Sequence, residues 1–582
     1  MAFRLDISER KKGTYLKIEK KYWDKEKKQA RTKHHETLGY LHDLQNQYPD
    51  PIAHFKQVVE QMNIEEKENR LINMTIDMNE ELPQDLRRRY NFGYAVILKI
   101  YYQLELNQFF NNKARHALYQ YNTNSIMTLL TISRILQPSS IRRAFLNKGD
   151  FFERFDFELH DVYRALSHFA EVSLECQRLI SDMIDKKYGR NTKLMYFDVT
   201  NFYFEIDQED DFKKFGQNKE GRSDPIVQMA LAMDADGIPL YYKLFPGNVH
   251  DSKTFIPVFK DVCVKFNPGR VIAVADMGCT SADNIFFLKG GDRDKRRHGY
   301  VFSYSIRKST KDFKKYVLDE AGYTDLDGNT PTEDCDFKFK SRIDVREIYV
   351  TMENGHKKKY LIDEKQVIYW SGKYARKAKA EREEAISRAK AIIENPSKYN
   401  KTTAHKAKNY IKNIKFDKET GEIIEKEGEK LIFDSEKAEE DAKYDGYYCL
   451  ISSELNMPAT RIIEIYRGLS EIEDNFKVSK SDLDLRPVFV SKKDHINAHV
   501  LICFIALVII RLIQKETKYM FTPEQIITCL NNISCSHEND NVYLFDYRSY
   551  ISDEIGKVFD IDFTKKRLLL KDIKKVLATA KK

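Results

Sequence analysis

Three residues in the last quarter of the chain have types and a spacing that suit phosphate chemistry. Tyr466, Glu473 and Lys480 are seven residues apart, so on a helix they drift only about 20° per step and share one face. An apolar stripe runs beside that face at spacings of 4, 3 and 4: Ile465, Leu469, Ile472 and Phe476. The carboxylate would bind a cation while the hydroxyl and the ammonium hold phosphates. A surface Glu and Lys on an ordinary amphipathic helix is the alternative.

Two aspartates far upstream strengthen the metal interpretation. Asp198 follows the apolar run LMYF, and Asp276 follows VIAVA. Alone, each is typical of a strand end or a turn. Burying two carboxylates together is costly unless a cation compensates. With Glu473 they give three oxygen ligands of the kind that Mg²⁺ takes.

The segments around these aspartates predict an α/β core. LMYFDVTNFYFEI, PIVQMALAM and IPLYYKLF read as three strands, the last two joined by a hairpin turn at residues 234–237. A helix at 250–265, the buried strand RVIAVAD, a helix at 281–289 and the strand GYVFSYSIR follow. The order β-β-β-α-β-α-β predicts a ribonuclease H-like core, with three antiparallel strands and then parallel crossovers. In that topology the strands of Asp198 and Asp276 are neighbours.

The rest of the chain divides by pattern. Residues 1–45 read as strands in a basic background, 12 Lys and Arg against 7 Asp and Glu; either a DNA-contacting module or a solvated β-ribbon fits. Asp50-Pro51 opens a helix.

Between 308 and 455 we expect a β-rich insertion that does not continue the core. The predicted domains are 1–75 (N-terminal β-rich basic module with a helix), 76–190 (helical DNA-binding or dimerisation region), 191–307 (first part of the core), 308–455 (insertion with a basic helical segment), 456–515 (second part of the core, with the Glu473 helix) and 516–582 (C-terminal tail).

Composition narrows the functional classes. The 582 residues carry a net charge of +8 and 42% hydrophobic residues, which indicates a folded protein and permits a polyanionic partner. The +8 excess lies in 371–414, with 12 Lys and Arg against 4 Asp and Glu. The eight cysteines show no C-x-x-C pair, which argues against zinc or a disulfide framework. We expect no signal peptide and no membrane span; the apolar run Val500–Ile513 contains Arg511 and predicts a buried helix.

Taken together, these segments resemble bacterial insertion-sequence transposases of the DDE type. The chain is similar to the group with a Tyr-Arg-Glu-Lys signature spaced at 0, +3, +7 and +14. Tyr466, Glu473 and Lys480 match, whereas the +3 position is Leu469 and Arg467 is adjacent to Tyr466. Further segments similar to this group are GQNKEGRSDPIVQMAL, FPGNVHDSKTF, ADMGCTSADNI, and DLRPVFV before INAHVLICFIAL.

The resemblance implies a site and a function. Asp198, Asp276 and Glu473 would be the catalytic, metal-binding triad for Mg²⁺ or Mn²⁺, with two ions. Tyr466 and Lys480 would contact DNA phosphates near the cleaved end. The protein would cut the terminal inverted repeats of its element and transfer the 3′ ends to target DNA, as a homodimer, in the bacterial cytoplasm. Arg467 is a further candidate DNA contact, and whether it replaces the signature arginine stays open.

Four more residues have weaker signals. Thr200 is expected to form a hydrogen bond near Asp198. Lys219 and Arg222 either meet DNA or are plain loop charges, and His250 is either a site residue or a helix-entry residue. Two other functions remain open: a ribonuclease H-like structure-specific nuclease that cuts without joining, and a non-catalytic DNA-binding protein derived from a transposase.

Overall fold

The computed structural model describes most of the chain. It covers residues 2–24, 29–68, 79, 81, 84, 89–116, 119–206, 208–216, 224–291, 298–332, 334–352, 354–400, 403–404, 406–417, 422–424, 430–486, 488–538 and 541–582. These residues form two compact units, 1–86 and 87–582.

The first unit is an antiparallel sheet with helices. Its elements are β1 (Ala2–Arg10), β2 (Gly13–Asp24), β3 (Gln29–Tyr40), α1 (Leu41–Leu44) and α2 (Pro51–Glu68). The strands pair in the order β1-β2-β3, and Leu16 and Ile18 are fully buried, as the alternation in β2 predicts. The Asp50 carboxylate accepts a hydrogen bond from the Ala53 N–H at 3.0 Å, which confirms Asp50 as the start of the helix.

The second unit begins with a short strand and a set of helices. These are β4 (Arg89–Asn91), α3 (Tyr94–Gln103), α4 (Leu106–His116), α5 (Thr123–Leu136), α6 (Ile141–Leu146), α7 (Leu159–Glu171) and α8 (Ser173–Tyr188). The core strands and helices follow: β5 (Leu194–Tyr203), β6 (Ile226–Met233), β7 (Pro239–Pro246), α9 (Asp251–Phe266), β8 (Ile272–Ala275), α10 (Ala282–Leu288) and β9 (Gly299–Tyr304). β5, β6 and β7 pair antiparallel, whereas β5, β8 and β9 pair parallel. The strand directions and the pairing of β5 with β8 are those predicted from the sequence. The order of these strands in the sheet is β7-β6-β5-β8-β9.

The segment after β9 departs from expectation. It contains α11 (Lys311–Leu318), β10 (Phe337–Thr351), β11 (Lys357–Ser371), α12 (Gly372–Glu394), β12 (Ile411–Lys412), β13 (Ile432–Phe433), α13 (Ser435–Ala442) and β14 (Tyr447–Ser452). The prediction that this segment does not continue the core is wrong, because β14, β11 and β10 extend the central sheet beyond β9 to eight strands. Most of β9 is buried, and a buried strand needs a paired edge. Within the described part of this segment, α12, α13, β12 and β13 form a small core of their own.

The chain then returns to the sheet with helices. The remaining elements are α14 (Ala459–Arg467), α15 (Ser470–Lys477), α16 (Lys493–Glu516), α17 (Pro523–Asn532), β15 (Ser534–His537), β16 (Val542–Phe545), α18 (Tyr550–Phe559), β17 (Arg567–Leu569) and α19 (Leu570–Ala580). β15 pairs with β4 in a second sheet of order β17-β16-β15-β4, so the C-terminal strands complete a sheet begun before α3. By length and composition α16 could cross a membrane, yet 94% of its most apolar stretch is buried inside the protein. This burial confirms the predicted buried helix.

Two apolar cores lie on the two faces of the central sheet. One contains Phe197 and Ala275 together with residues of α9, α10 and α11. The other contains Tyr196 and Val274 together with residues of α3–α8 and α14–α19. Because side chains alternate along a strand, Asp198 and Asp276 project to the second face, the face on which α14 and α15 lie.

Candidate active site

The register of two parallel strands places the two aspartates side by side. Phe197 of β5 pairs with Ala275 of β8, and each is followed directly by an aspartate, Asp198 and Asp276. Asp198 is half-buried and Asp276 is exposed. The carboxyl ends of neighbouring parallel strands meet at one edge of a sheet, so both carboxylates lie at that edge, as predicted.

Hydrogen bonds fix one oxygen of Asp276. Its Oδ1 accepts from the Met277 N–H at 2.7 Å, the Ser303 hydroxyl at 2.6 Å and the Tyr466 hydroxyl at 3.3 Å. Burial, and then the Asp276 charge, raise the pKa of Tyr466 well above its ordinary value, so this hydroxyl stays protonated and donates. Among the described residues, none donates a hydrogen bond to Oδ2. The carboxylate is therefore oriented through one of its two oxygens.

The segment that carries Tyr466, Glu473 and Lys480 is less regular than predicted. α14 ends at Arg467 and α15 begins at Ser470; between them the Gly468, Leu469, Glu471 and Ile472 N–H groups donate to carbonyls three residues back, a 3₁₀ pattern. After α15 the chain makes one wide π-type turn, Val478–Asp482, that contains Lys480. The prediction of one uninterrupted helix over 466–480 is therefore wrong.

Tyr196 of β5 accounts for the tightened turn. Its hydroxyl donates to the Ile465 carbonyl at 3.0 Å, and burial raises its pKa to about 12. A Cβ on Gly468 would lie only 2.2 Å from this hydroxyl, closer than atoms can pack. Glycine at 468 thus lets the strand side chain reach the helix backbone. The predicted apolar stripe is nevertheless buried as expected, at Ile465, Leu469, Ile472 and Phe476.

One edge of α15 faces the turn between β6 and β7. The Asn475 amide donates to the Gly237 carbonyl at 2.9 Å, and Glu471 lies against Gly237. Arg511 of the buried helix α16 donates to Asn475 at 2.6 Å and to Asp474 at 3.2 Å. Hydrogen bonds from α16 therefore tie α15 to the buried core.

The opposite edge of the segment carries the predicted catalytic residues. Since β6 runs antiparallel to β5, the β6–β7 turn lies at the amino-terminal end of β5. Within α15, helical spacing of 100° per residue puts Glu473 on the edge away from Asn475. Tyr466, at the end of α14, donates a hydrogen bond to Asp276. Glu473 is exposed on α15, which packs against β5.

The carboxylates do not close into one metal-binding cluster. Within the described ranges, no three His, Cys, Asp or Glu side chains lie close enough together to hold a metal ion. The pair Asp198 and Asp276 has the hard oxygen donors that Mg²⁺ and Mn²⁺ prefer, and Oδ2 of Asp276 is available. The ends of the two strands thus provide two carboxylates of a kind that suits a divalent cation, and Glu473 lies on the neighbouring helix α15.

The remaining predicted site residues differ in how far they are exposed to solvent. Leu469, at the place of the signature arginine, is buried and cannot contact a phosphate. Arg467 is exposed, with its guanidinium 5.0 Å from the Phe337 ring centre, and Lys480 is half-buried. Thr200 is buried on the same face of β5 as Asp198. Lys219 and Arg222 lie outside the described residues.

His250 takes the helix-entry role. It is the N-cap residue of α9, and its Nδ1 accepts a hydrogen bond from the Ser252 N–H at 3.3 Å. Ser303, Tyr196 and Asn475 were missed from the sequence. The period-2 pattern of GYVFSYSIR could have placed Ser303 on the face of Asp276, but no local signal marks the other two.

The chain matches the profile of a known protein family. The profile described as transposase DDE domain matches residues 192–509, more than half of the chain and a range that contains Asp198, Asp276, Tyr466, Glu473 and Lys480. A solved structure, "Mos1 transposase paired-end complex with left transposon end", is similar at 11% identity and a TM-score of 0.12, over 39% of this chain and 62% of that chain. No curated protein matches the sequence. With the profile spanning the core strands and the α14–α16 helices, this chain belongs to the transposase DDE domain family.

Proposed function

We propose that this protein is a cut-and-paste transposase, which cleaves DNA at the ends of an insertion sequence and joins the freed ends to target DNA. The observation that carries the proposal is the register of β5 and β8, in which Asp198 and Asp276 directly follow two paired residues. The hydrogen bond from Tyr466 to Asp276 supports it. Family membership supports the same reading.

We assign the central sheet to a ribonuclease H-like core. Support comes from the order β7-β6-β5-β8-β9, with three antiparallel strands followed by two parallel ones. α9 and α10 cover the face away from the aspartates, and α14 and α15 cover the other. β10, β11 and β14 are additions to this core.

Asp198, Asp276 and Glu473 are the proposed ligands of two Mg²⁺ or Mn²⁺ ions. Divalent cations at such a site activate the attacking oxygen and stabilise the leaving oxygen of an in-line displacement at phosphorus. Hydrogen bonds from Met277, Ser303 and Tyr466 hold the Asp276 carboxylate, and Thr200 is proposed to form a hydrogen bond near Asp198. Glu473 completes the set from the helix edge when DNA is bound.

The reaction needs no protein nucleophile. In cleavage, a water oxygen bonds to phosphorus and the 3′ oxygen of the element end leaves. In transfer, that 3′ hydroxyl attacks a target phosphodiester and the target's 3′ oxygen leaves. Tyr466, Lys480 and Arg467 are proposed to hold backbone phosphates near the cut, as are Lys219 and Arg222. We expect a homodimer to hold two ends, acting on chromosomal DNA in the bacterial cytoplasm.

The test uses the full-length protein with linear DNA that carries the ends of its own element, Mg²⁺ and a supercoiled target. The wild type should nick at the element ends and give joined products. Asp198→Asn and Glu473→Gln should each abolish both products while end binding in a gel-shift assay persists. Glu471→Gln, on the opposite edge of the same segment, is the matched control and should cut normally.

Two outcomes would overturn the proposal. Cutting without joined products, under conditions where pre-nicked ends also fail to join, indicates a nuclease. Cutting by the Asp198→Asn protein would show that the site is elsewhere.

A further inference from the structure

The C-terminal helix presents an unusual concentration of positive charge. From Lys565 to Lys582 the sequence carries eight Lys and Arg and a single Asp. α19 buries Ile573, Leu577 and Ala580 against a core that includes α3. At 100° per residue, Lys571, Lys574 and Lys575 fall within an arc of about 100° on the outward side. We call these three exposed residues, with exposed Lys582 just beyond the helix, the lysine face.

Across the described residues, no ion pair includes Lys571, Lys574, Lys575 or Lys582, whereas three basic residues nearby are paired. Lys581 pairs with Glu153, Arg567 with Glu538 and Lys557 with Glu554. Three nearby carboxylates are thus paired with other cations, and Asp572 is the single acidic residue on α19 itself.

The basic insertion helix is compensated in part. All three arginines of α12 lie in ion pairs: Arg376 with Asp336, Arg382 with Asp445 and Arg388 with Glu384. Its exposed lysines form no ion pair among the described residues: Lys373, Lys377, Lys379 and Lys390. Like charges clustered without partners repel one another and lower stability. The apolar side of α19 fixes the helix, and its unpaired lysines point outward. A bound polyanion would relieve the repulsion among these lysines.

We propose that the lysine face of α19 binds the phosphate backbone of duplex DNA. The occupant follows from charge complementarity: lysines spaced by one helical turn, about 5 to 6 Å, form a row of positive charges on a fixed helix, which suits a regular line of phosphates. Lysine contacts phosphate without reading bases, so the contact adds affinity and not sequence preference. The identity of the polyanion rests on the proposed function.

The test is the salt dependence of DNA binding by the full-length protein. Asp198→Asn serves as background so that no DNA is cut, and the probes are a duplex with an element end and a duplex of unrelated sequence. In the triple variant Lys571→Gln, Lys574→Gln, Lys575→Gln, the slope of log K against log salt should fall by about 2 to 3, since each lost phosphate contact removes about 0.9. Affinity for both duplexes should fall on the order of tenfold or more.

The matched control is the double variant Lys557→Gln, Lys565→Gln, in which both lysines have carboxylate neighbours, Glu554 and Asp562. Its salt slope should stay that of the background. Glutamine keeps helix propensity, and equal unfolding midpoints of the two variants would exclude misfolding. A triple variant with unchanged slope and affinity would overturn the inference.

Two further arms separate the possible failures. Vesicles of phosphatidylserine and phosphatidylcholine test the other polyanion: vesicle binding that is lost in the triple variant while DNA binding is unchanged would also overturn the inference. If the wild type fails to cut element ends yet the DNA slope falls as expected, the proposed function fails and the lysine face stands.

Discussion

The carboxylate edge of the central sheet and the lysine face of α19 act through charge in opposite ways. Asp198 and Asp276 are set by strand register, and Asp276 is held by three hydrogen bonds to a single oxygen. The lysines have flexible stems and no partner among the described residues, and only the helix beneath them is fixed. A site for bond breaking needs groups held in one geometry, whereas backbone binding needs charge density and tolerates motion. The comparison predicts large, salt-independent losses at one region and small, additive, salt-dependent losses at the other.

The largest effect is expected at the sheet edge. Asp276→Asn keeps an oxygen that can accept from Ser303 and Tyr466 but removes the charge. Single-turnover cleavage at saturating DNA should fall by about 10³-fold or more, roughly 4 kcal/mol, at every salt concentration. A loss that high salt alters, or that follows DNA affinity, would contradict the contrast between the two regions.

The helix that carries the site should be the next most sensitive. Gly468→Ala places a Cβ 2.2 Å from the Tyr196 hydroxyl, so we expect the free energy of unfolding to fall by about 1 to 3 kcal/mol, measured by urea denaturation. In a Tyr196→Phe background the same change should cost less, because the clashing hydroxyl is gone. Equal costs in both backgrounds would show that the contact does not shape this turn.

The variant Tyr466→Phe measures how much the hydrogen bond to Asp276 contributes to the cleavage rate. Tyr466→Phe removes one bond of 3.3 Å, worth about 1 kcal/mol, so cleavage should slow by on the order of fivefold to tenfold. Tyr448→Phe is the control, since the Tyr448 hydroxyl donates no hydrogen bond to Asp276 within the described residues. A rate unchanged by Tyr466→Phe would leave Ser303 and Met277 as sufficient to orient the carboxylate.

The smallest effect is expected for one lysine. Lys574→Gln should weaken duplex binding by on the order of threefold and lower the salt slope by about 0.9, with the cleavage rate at saturating DNA unchanged. Filter binding over a salt series measures both quantities. If Lys574→Gln alone abolished binding, this lysine would make a contact of fixed geometry. The proposed difference between the lysine face and the carboxylate edge would then be wrong.

Local patterns were enough to predict the central strands. Buried strands read as apolar runs, so LMYF and VIAVA predict β5 and β8 and the aspartates that follow them. The insertion could not be predicted in this way: β14 pairs with β9 from about 150 residues away, and no short-range pattern says which edge a strand will join. The 3₁₀ turn at Gly468 depends in the same way on Tyr196, a contact across 269 residues at the Ile465 carbonyl.

By itself, then, the sequence determined most of the elements of the central sheet and the residues proposed to carry the chemistry, because residue type, apolar periodicity and helix caps are local properties. Only the tertiary structure decided that Asp276 is oriented by Ser303 and Tyr466, that Glu473 stands at the helix edge without closing the cluster, and which lysines remain unpaired. Charge counts along the chain pointed to residues 371–414, yet ion pairs such as Arg382 with Asp445 form between distant segments. The net charge of a segment is a property of its sequence, and the charge it presents to a partner is a property of the fold.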